Sequence, residues 1–431
     1  MKRVGNLWGD LCSKQNAIQA IYEGTEHKRQ DRQVRRTLGY TDDDPKHQGK
    51  LDPEKVSAYA ERQIEKLANG WIPSPMRHMT IRPPFGKSRE IDCPTLSDHI
   101  IHWMLIRAIK PIIMRGMYKH SCGSIPDRGI DSARSAVERW VQHDDRAKYF
   151  VKLDVRKFYP NIDQDRLVDL FKLVIKDPLV IELIDKVAHA LPKGLPIGAY
   201  TSQWFANFYL QQLDHHIVQD LFKSRRGKRI NLVAHYCRYA DDLLLIGSSK
   251  RDLEKSVRDI ISFAAGHSRL EIKECWEIKA IAKDVHDIGP HVAPIDFVGY
   301  RFYRDHTEIR GGIFLHTTRI AARIVKRLES QSVVLLHDAQ SIVSLHGWFE
   351  HADSEYFFEN YIYNRISIKF MQEVISYASK NGIVGDAARI FCGERGPDGK
   401  YHILYGRSGG QTRRVYRVDC RSVGDGLRLD G

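Results

Sequence analysis

The chain has 431 residues, 42% of them hydrophobic, with 67 Lys and Arg against 54 Asp and Glu and a formal net charge of +13. That length predicts two to four domains with ample core, and the cationic excess predicts attraction to polyanions by counterion release. No apolar run approaches the roughly 18 residues of a membrane span and residues 1–10 lack a signal-peptide core, so a cytoplasmic protein with no membrane partner is expected.

Residues 1–70 read as helical and carry the charge run Lys28 to Arg36, whose commonest fate is a solvated helix face. Met79 to Ile91, broken by Pro83-Pro84-Phe85-Gly86, reads as a hairpin, and Ser97 is placed to cap a helix that buries Ile100, Ile101, Met104, Leu105 and Ala108. Tyr149 to Val155 alternates like a strand ending at Asp154. Asp163 suits the N-cap of a helix beginning near Gln164, which leaves Asp154 without a structural duty.

Gly194 to Leu210 is a Gly/Pro-rich loop entering a helix, with Thr201 or Ser202 as N-cap and Phe205, Phe208, Tyr209, Leu213 and Ile217 as a buried stripe. Gln203 and Asn207 share another face, where a solvated surface and a ligand contact are equally open. Next, Tyr239-Ala240-Asp241-Asp242 stands between the apolar runs Asn231 to Tyr236 and Leu243 to Gly247. Adjacent carboxylates repel and bury poorly, so such a turn calls for a cation, although a solvent-facing polar turn is commoner. Cys237 reads as a small strand residue beside that turn. The seven cysteines include no Cys-x-x-Cys pair and the twenty histidines no metal spacing, which argues against a zinc ribbon or a disulfide framework. After Thr317 a basic helical region holds Arg319, Arg323, Lys326 and Arg327. The tail has a turn at Pro397-Asp398-Gly399 and short basic strands at Lys400 to Tyr405 and Arg413 to Cys420.

The order and content of these motifs resemble the reverse transcriptases, over about Asn6 to about Tyr363. The Asp154 segment is similar to the family's first palm motif, Leu195 to Gln203 to its second, and Tyr239 to Asp242 to its Tyr-x-Asp-Asp box. Phe297-Val298-Gly299-Tyr300-Arg301-Phe302 resembles the primer-grip hairpin, Lys87-Ser88-Arg89-Glu90-Ile91 the basic fingers strand, and Ser344 to Phe349 a thumb-helix segment of bacterial members. The opening Lys2 to Trp8, the string Thr201 to Asn207 and Trp276 most resemble the defence-associated (unknown-group) and the diversity-generating retroelement enzymes.

The resemblance implies an α+β, right-hand polymerase architecture: N-terminal helices and fingers over 1–148, a palm with an antiparallel sheet and helices on one face over 149–305, a helical thumb over 306–365, and a basic extension over 366–431. It implies an RNA-directed DNA polymerase. Phosphodiester synthesis builds charge on attacking and leaving oxygens, which two Mg²⁺ ions about 3.5–4 Å apart can stabilise, with Mn²⁺ as a substitute. Asp154 and Asp241 are the expected bridging ligands, Asp242 assists, and the Val155 carbonyl completes a shell as it does in the family. Lys87 and Arg89 meet the incoming triphosphate, with Gly198 and Gln203 also at the nucleotide. Tyr159 falls at the family's steric gate against a 2′-hydroxyl, and Phe297, Gly299 and Tyr300 form the primer grip. Lys273 or Lys279 is a candidate replacement for the family lysine where Trp276 stands. Partners are an RNA template, dNTPs and cDNA, the template being a dedicated structured noncoding RNA in antiphage defence. A diversity-generating role and a non-catalytic RNA-binding scaffold are the alternatives.

Overall fold

In a computed structural model, all residues are described except 1–2, 30, 44–48, 82–87, 355–361, 363–365, 384, 386–387, 393–402, 409–410 and 413–431, with backbone pairing alone for 403–408 and 411–412. Two compact units result, one of residues 1–281 and 289–293, the other of 282–288 and 294–431. One continuous apolar core runs from Leu7 to Ile278 through both the helical and the strand-rich parts of the first unit.

In the first unit, helices α1 (Leu7–Leu11), α2 (Lys14–Thr25), α3 (Arg32–Leu38) and α4 (Pro53–Ala68) come first. Ser13, Asp31 and Asp52 cap the last three by accepting backbone N–H bonds. Arg32, Arg35 and Arg36 are exposed on α3 around buried Val34, a solvated face. Strands β1 (Arg77–Ile81) and β2 (Arg89–Cys93) form the expected antiparallel hairpin, with Ile81 opposite Arg89. Helix α5 (Leu96–Arg115) starts at Thr95 rather than Ser97. Thr95 accepts from Asp98 N, whereas the Ser97 hydroxyl donates to Gln63 Oε1 at 2.6 Å. Ile100, Ile101, Met104 and Leu105 are fully buried on α5. Helix α6 (Ile130–His143) leads to the sheet strand β3 (Tyr149–Asp154).

The chain continues through α7 (Phe158–Asn161), α8 (Gln164–Lys172) and α9 (Pro178–Ala188), then α10 (Tyr200–Tyr209) and α11 (Gln211–His215). Asp163 caps α8 as expected. Asp177 serves two helices: its Oδ2 accepts from Leu7 N and Trp8 N at the start of α1, and its Oδ1 from Val180 N in α9. Helix α10 begins two or three residues earlier than its polar residues suggest. Ala199 is the N-cap, and Thr201 and Ser202 are buried small residues, Thr201 Oγ1 lying 3.4 Å from His102 Nδ1 of α5.

A separate ribbon, β4 (Phe222–Arg225) and β5 (Lys228–Asn231), precedes β6 (His235–Tyr239) and β7 (Asp242–Gly247). Helix α12 (Lys250–His267), β8 (Lys279–Ile281) and β9 (Val292–Ala293) complete the unit. Its sheet has the order β6-β7-β3-β8-β9, antiparallel except between β8 and β9. Leu243 to Ile246 of β7 are fully buried, so this strand reads as an unbroken apolar run covered on both faces.

The second unit opens with an antiparallel sheet of β10 (Ile295–Phe297), β11 (Tyr300–Phe302) and β12 (Thr307–Ile309). Helix α13 (Gly311–Gln331), strand β13 (Val333–Leu335), α14 (Leu336–Phe349) and α15 (Ile368–Lys380) follow. Strands β14 (Arg389–Cys392), β15 (Ile403–Ser408) and β16 (Gln411–Thr412) add to β13 in a four-stranded sheet. The expected strand at Lys400 to Tyr405 thus corresponds to β15, while Arg413 to Cys420 and the Pro397 turn lie outside the described residues. Arg323 and Arg327 of α13 both pair with buried Asp338 of α14. Two of the four cations of the basic helical region are thus paired within the unit.

Candidate active site

Strands β3 and β7 run antiparallel in a register that sets Asp154 directly opposite Asp242, and Asp241 stands beside it in the two-residue turn between β6 and β7. Two-residue hairpin turns require positive φ at their first position, and Ala240 takes φ 55° there. For a residue with a Cβ that backbone costs roughly 1–2 kcal/mol. Burial, followed by the nearby carboxylates, pushes the Asp241 and Asp242 carboxyls above their ordinary range. Lys273, next to β3, sits 2.6 Å from Asp154 Oδ1, and its ammonium is raised by that partner. Asp154 Oδ1 is shielded from solvent, and the Lys273 ammonium is its partner among the described residues.

What holds the strained turn is Arg238, fully buried on β6. Its Nε and one terminal nitrogen donate to the two oxygens of Asp214, at 2.8 and 2.7 Å. That nitrogen also reaches Ser121 Oγ, and the other donates to Asn207 Oδ1 at 2.9 Å and to the Ala240 carbonyl at 3.0 Å. All five guanidinium donors are thereby used. Burial alone would lower this guanidinium's pKa, but Asp214 outweighs it and raises it. Asp214 also accepts from Tyr236 and Ser121 hydroxyls. Beneath the turn lies Gly123, where a Cβ would come 2.4 Å from Ala240 N. Its carbonyl accepts from Asn207 Nδ2 at 2.9 Å.

Asn207 is therefore a structural strut and does not face a ligand with Gln203, which is exposed on α10. Cys237 is buried on β6, the small strand residue expected. Val155 is buried and bridges to Ile272, and no donor among the described residues engages its carbonyl. Tyr159 is half-buried on α7, and burial, then the Asp241 charge, raises its hydroxyl. Gly198 has φ +119° and lies against the Asp92 carbonyl, and Asp92 N donates to Ile197 O at 2.8 Å. Arg89 is exposed at the start of β2, and Lys87 lies outside the described residues. Trp276 is partly buried, and Lys279 pairs with Glu277.

In the second unit Val298 and Gly299, at φ 43° and 90°, make the turn between β10 and β11. Phe297 and Tyr300 are buried, and a Cβ on Gly299 would meet Trp348 at 2.2 Å. These three residues shape the hairpin from within, and Arg301 is its exposed side chain. Arg238, Asp214 and Gly123 escaped the sequence reading. The one signal was an arginine directly before the box, in a run that otherwise reads as a buried strand.

Among the described residues no three His, Cys, Asp or Glu side chains form a ready-made metal cage. The donors nonetheless suit a hard dication. They are carboxylate oxygens, one of them shielded and held by the Lys273 ammonium, and Mg²⁺ normally completes its shell with water and substrate phosphate.

A carboxylate ending a central sheet strand, in register with another just past a two-residue turn, is the layout of a right-hand polymerase palm. Residues 78–285 match the family described as "Reverse transcriptase (RNA-dependent DNA polymerase)", and this stretch is a reverse transcriptase domain. Among its relatives is the group II intron-encoded protein LtrA of Lactococcus lactis subsp. cremoris, 26% identical over 246 residues, covering 53% of this chain and 40% of that protein. Another is the retron Ec73 reverse transcriptase of Escherichia coli, 26% identical over 186 residues, covering 41% of this chain and 55% of that one. The chain thus spans about half the length of these curated relatives. Among solved structures, telomerase from Candida tropicalis in complex with a fragment of telomeric RNA is similar at a TM-score of 0.44 and 12% identity, covering 82% of this chain and 66% of that one.

Proposed function

We propose that this chain is an RNA-directed DNA polymerase that extends a primer 3′-hydroxyl with deoxynucleotides along an RNA template. The pairing of Asp154 with Asp242, with Asp241 in the adjoining turn, carries this reading. Asp154, Asp241 and Asp242, with the Val155 carbonyl, would hold two Mg²⁺ ions, which when bound stabilise the charge on the attacking and leaving oxygens. Asp154 exchanges its Lys273 partner for that role, freeing the ammonium to neutralise or protonate departing pyrophosphate. Arg89, with Lys87, meets the triphosphate, and Gly198 and Gln203 border the nucleotide. The Tyr159 ring excludes a 2′-hydroxyl and selects dNTPs, while the β10–β11 hairpin supports the primer.

The template we propose is a dedicated structured noncoding RNA copied in antiphage defence. Similarity to a retron enzyme and a tail longer than a minimal diversity-generating enzyme needs both favour this over template diversification. Labelled dNTP incorporation on a primed RNA with Mg²⁺ tests the chemistry. Asp241→Ala and Asp242→Ala should each abolish it, and activity equal to wild type in both would overturn the reading. Tyr159→Ala should admit rNTPs; unchanged sugar preference would remove the gate assignment alone.

A further inference from the structure

Among the described residues the β4–β5 ribbon pairs with no other strand, and it projects from the core on two buried roots, Leu221 and Leu232, joined by the Leu232 N to Leu221 O bond. Its turn, Arg226 and Gly227 at φ 51° and 72°, is the tight primed type that suits hairpins. From Phe222 to Asn231 it carries Lys223, Arg225, Arg226, Lys228 and Arg229 and no acidic residue. Lys223 is tied to Asp252 of α12 at 2.5 Å and anchors the base. Among the described residues no carboxylate pairs with the other four, and residues 224–231 are exposed throughout.

This arrangement works against the ribbon's own folding. Arg225 lies directly opposite Lys228, and like charges so placed are destabilising, while an isolated two-stranded hairpin is marginal at best. A polyanion would offset that repulsion. On the other face the Arg229 guanidinium lies 3.8 Å over the ring of exposed Phe222, a flat cationic plate of the kind on which an unpaired base stacks.

We infer that this ribbon is a second RNA-holding site, gripping phosphates of structured RNA through Arg225, Arg226 and Lys228 and an unpaired base on the Phe222–Arg229 plate. It rests on the polymerase reading for the choice of RNA. The ribbon joins β6 at the end away from the catalytic turn, and five residues at about 3.3 Å each put that root roughly 15 Å off. What it holds therefore lies outside the reacting centre and would tether a long RNA while its other part is copied.

The test uses the full chain and the quadruple variant Arg225→Gln, Arg226→Gln, Lys228→Gln, Arg229→Gln, all at exposed positions. The probes are a labelled 60-nucleotide RNA with stem-loops, duplex DNA of equal length, and vesicles containing phosphatidylserine. The variant should lose at least ~10-fold in RNA affinity, and its salt slope should fall by roughly two to three, at about 0.7–0.9 for each of the lost phosphate contacts. Extension of a short primed template of ~15 nucleotides should keep its wild-type rate. Unchanged affinity and slope for the RNA would overturn the inference, as would a loss confined to vesicles or equal for stem-loop RNA and duplex DNA. Failure of the wild type to extend the short template would instead strike the polymerase reading, because RNA binding is measured separately.

Discussion

Replacing Arg238 with methionine strands the Asp214 carboxylate in a fully buried site. Breaking one side of a buried ion pair costs about 3–5 kcal/mol, which in a unit of this size lowers the melting temperature by on the order of 10 °C. Adding Asp214→Asn removes the orphan charge, keeps an amide oxygen to accept from the Tyr236 hydroxyl and turns an NH2 toward Ser121 Oγ, which can accept from it, so the double variant should regain most of that loss. It cannot restore the donor to the Ala240 carbonyl. That charged hydrogen bond is worth about 1.5–3 kcal/mol, and where it serves the position of Asp241 its absence should slow primer extension about 10- to 100-fold. Melting curves and single-turnover extension at saturating dNTP separate the two effects. A double variant that recovers both stability and rate would refute the claim that Arg238 positions the turn, and leave it a purely structural pair.

Gly123→Ala drives a Cβ into the Ala240 backbone and should lose extension together with stability, at ~1–3 kcal/mol for an overpacked site, whereas Gly266→Ala, with open space around it, serves as the neutral control; equal behaviour of the two would contradict the close approach. Asp241 and Asp242 have raised carboxyls, so the metal-free fold bears a penalty above their folded pKa that fades as pH falls toward the ordinary carboxylate range. Asp241→Asn should accordingly raise the melting temperature at neutral pH in chelator while abolishing extension, and the wild type's apparent Mg²⁺ affinity should weaken on acidification earlier than an ordinary aspartate would cause; a lowered melting temperature would contradict this. Lys273→Gln removes the cation competing for Asp154 and should lower the Mg²⁺ concentration at half-maximal rate, and an unmoved midpoint in a Mg²⁺ titration would show that no such competition exists.

Local chemistry was legible wherever one residue decides it. Asp163 announces its helix, Tyr149 to Asp154 its strand, and the two aspartates their turn, because cap, alternation and turn geometry act within a few positions. Tertiary competition defeated the same logic elsewhere. Ser97, Thr201 and Ser202 are good cap chemistry, but Thr95 and Ala199 lie where the chain enters each helix; Ser97 bonds to Gln63, Thr201 Oγ1 lies near His102, and Ser202 is simply buried. The hairpin of the primer-grip motif is legible from its glycine, but the inward burial of Phe297 and Tyr300 and the tight turn under Trp348 depend on packing partners distant in the chain. Arg238 was invisible for a simpler reason. Its five partners come from Ser121, Asn207, Asp214 and Ala240, and only folding brings segments more than a hundred residues apart to one guanidinium.

The hydrogen bond from Asp92 to Ile197, with Gly198 resting on the Asp92 carbonyl, links the hairpin that carries Arg89 to the Gly198 loop, the two segments proposed to hold the nucleotide. A shift in either is felt by the other. Discrimination between correct and incorrect bases and grip on the phosphates would then vary in concert, so substitutions at this joint should trade copying accuracy against speed instead of altering one alone.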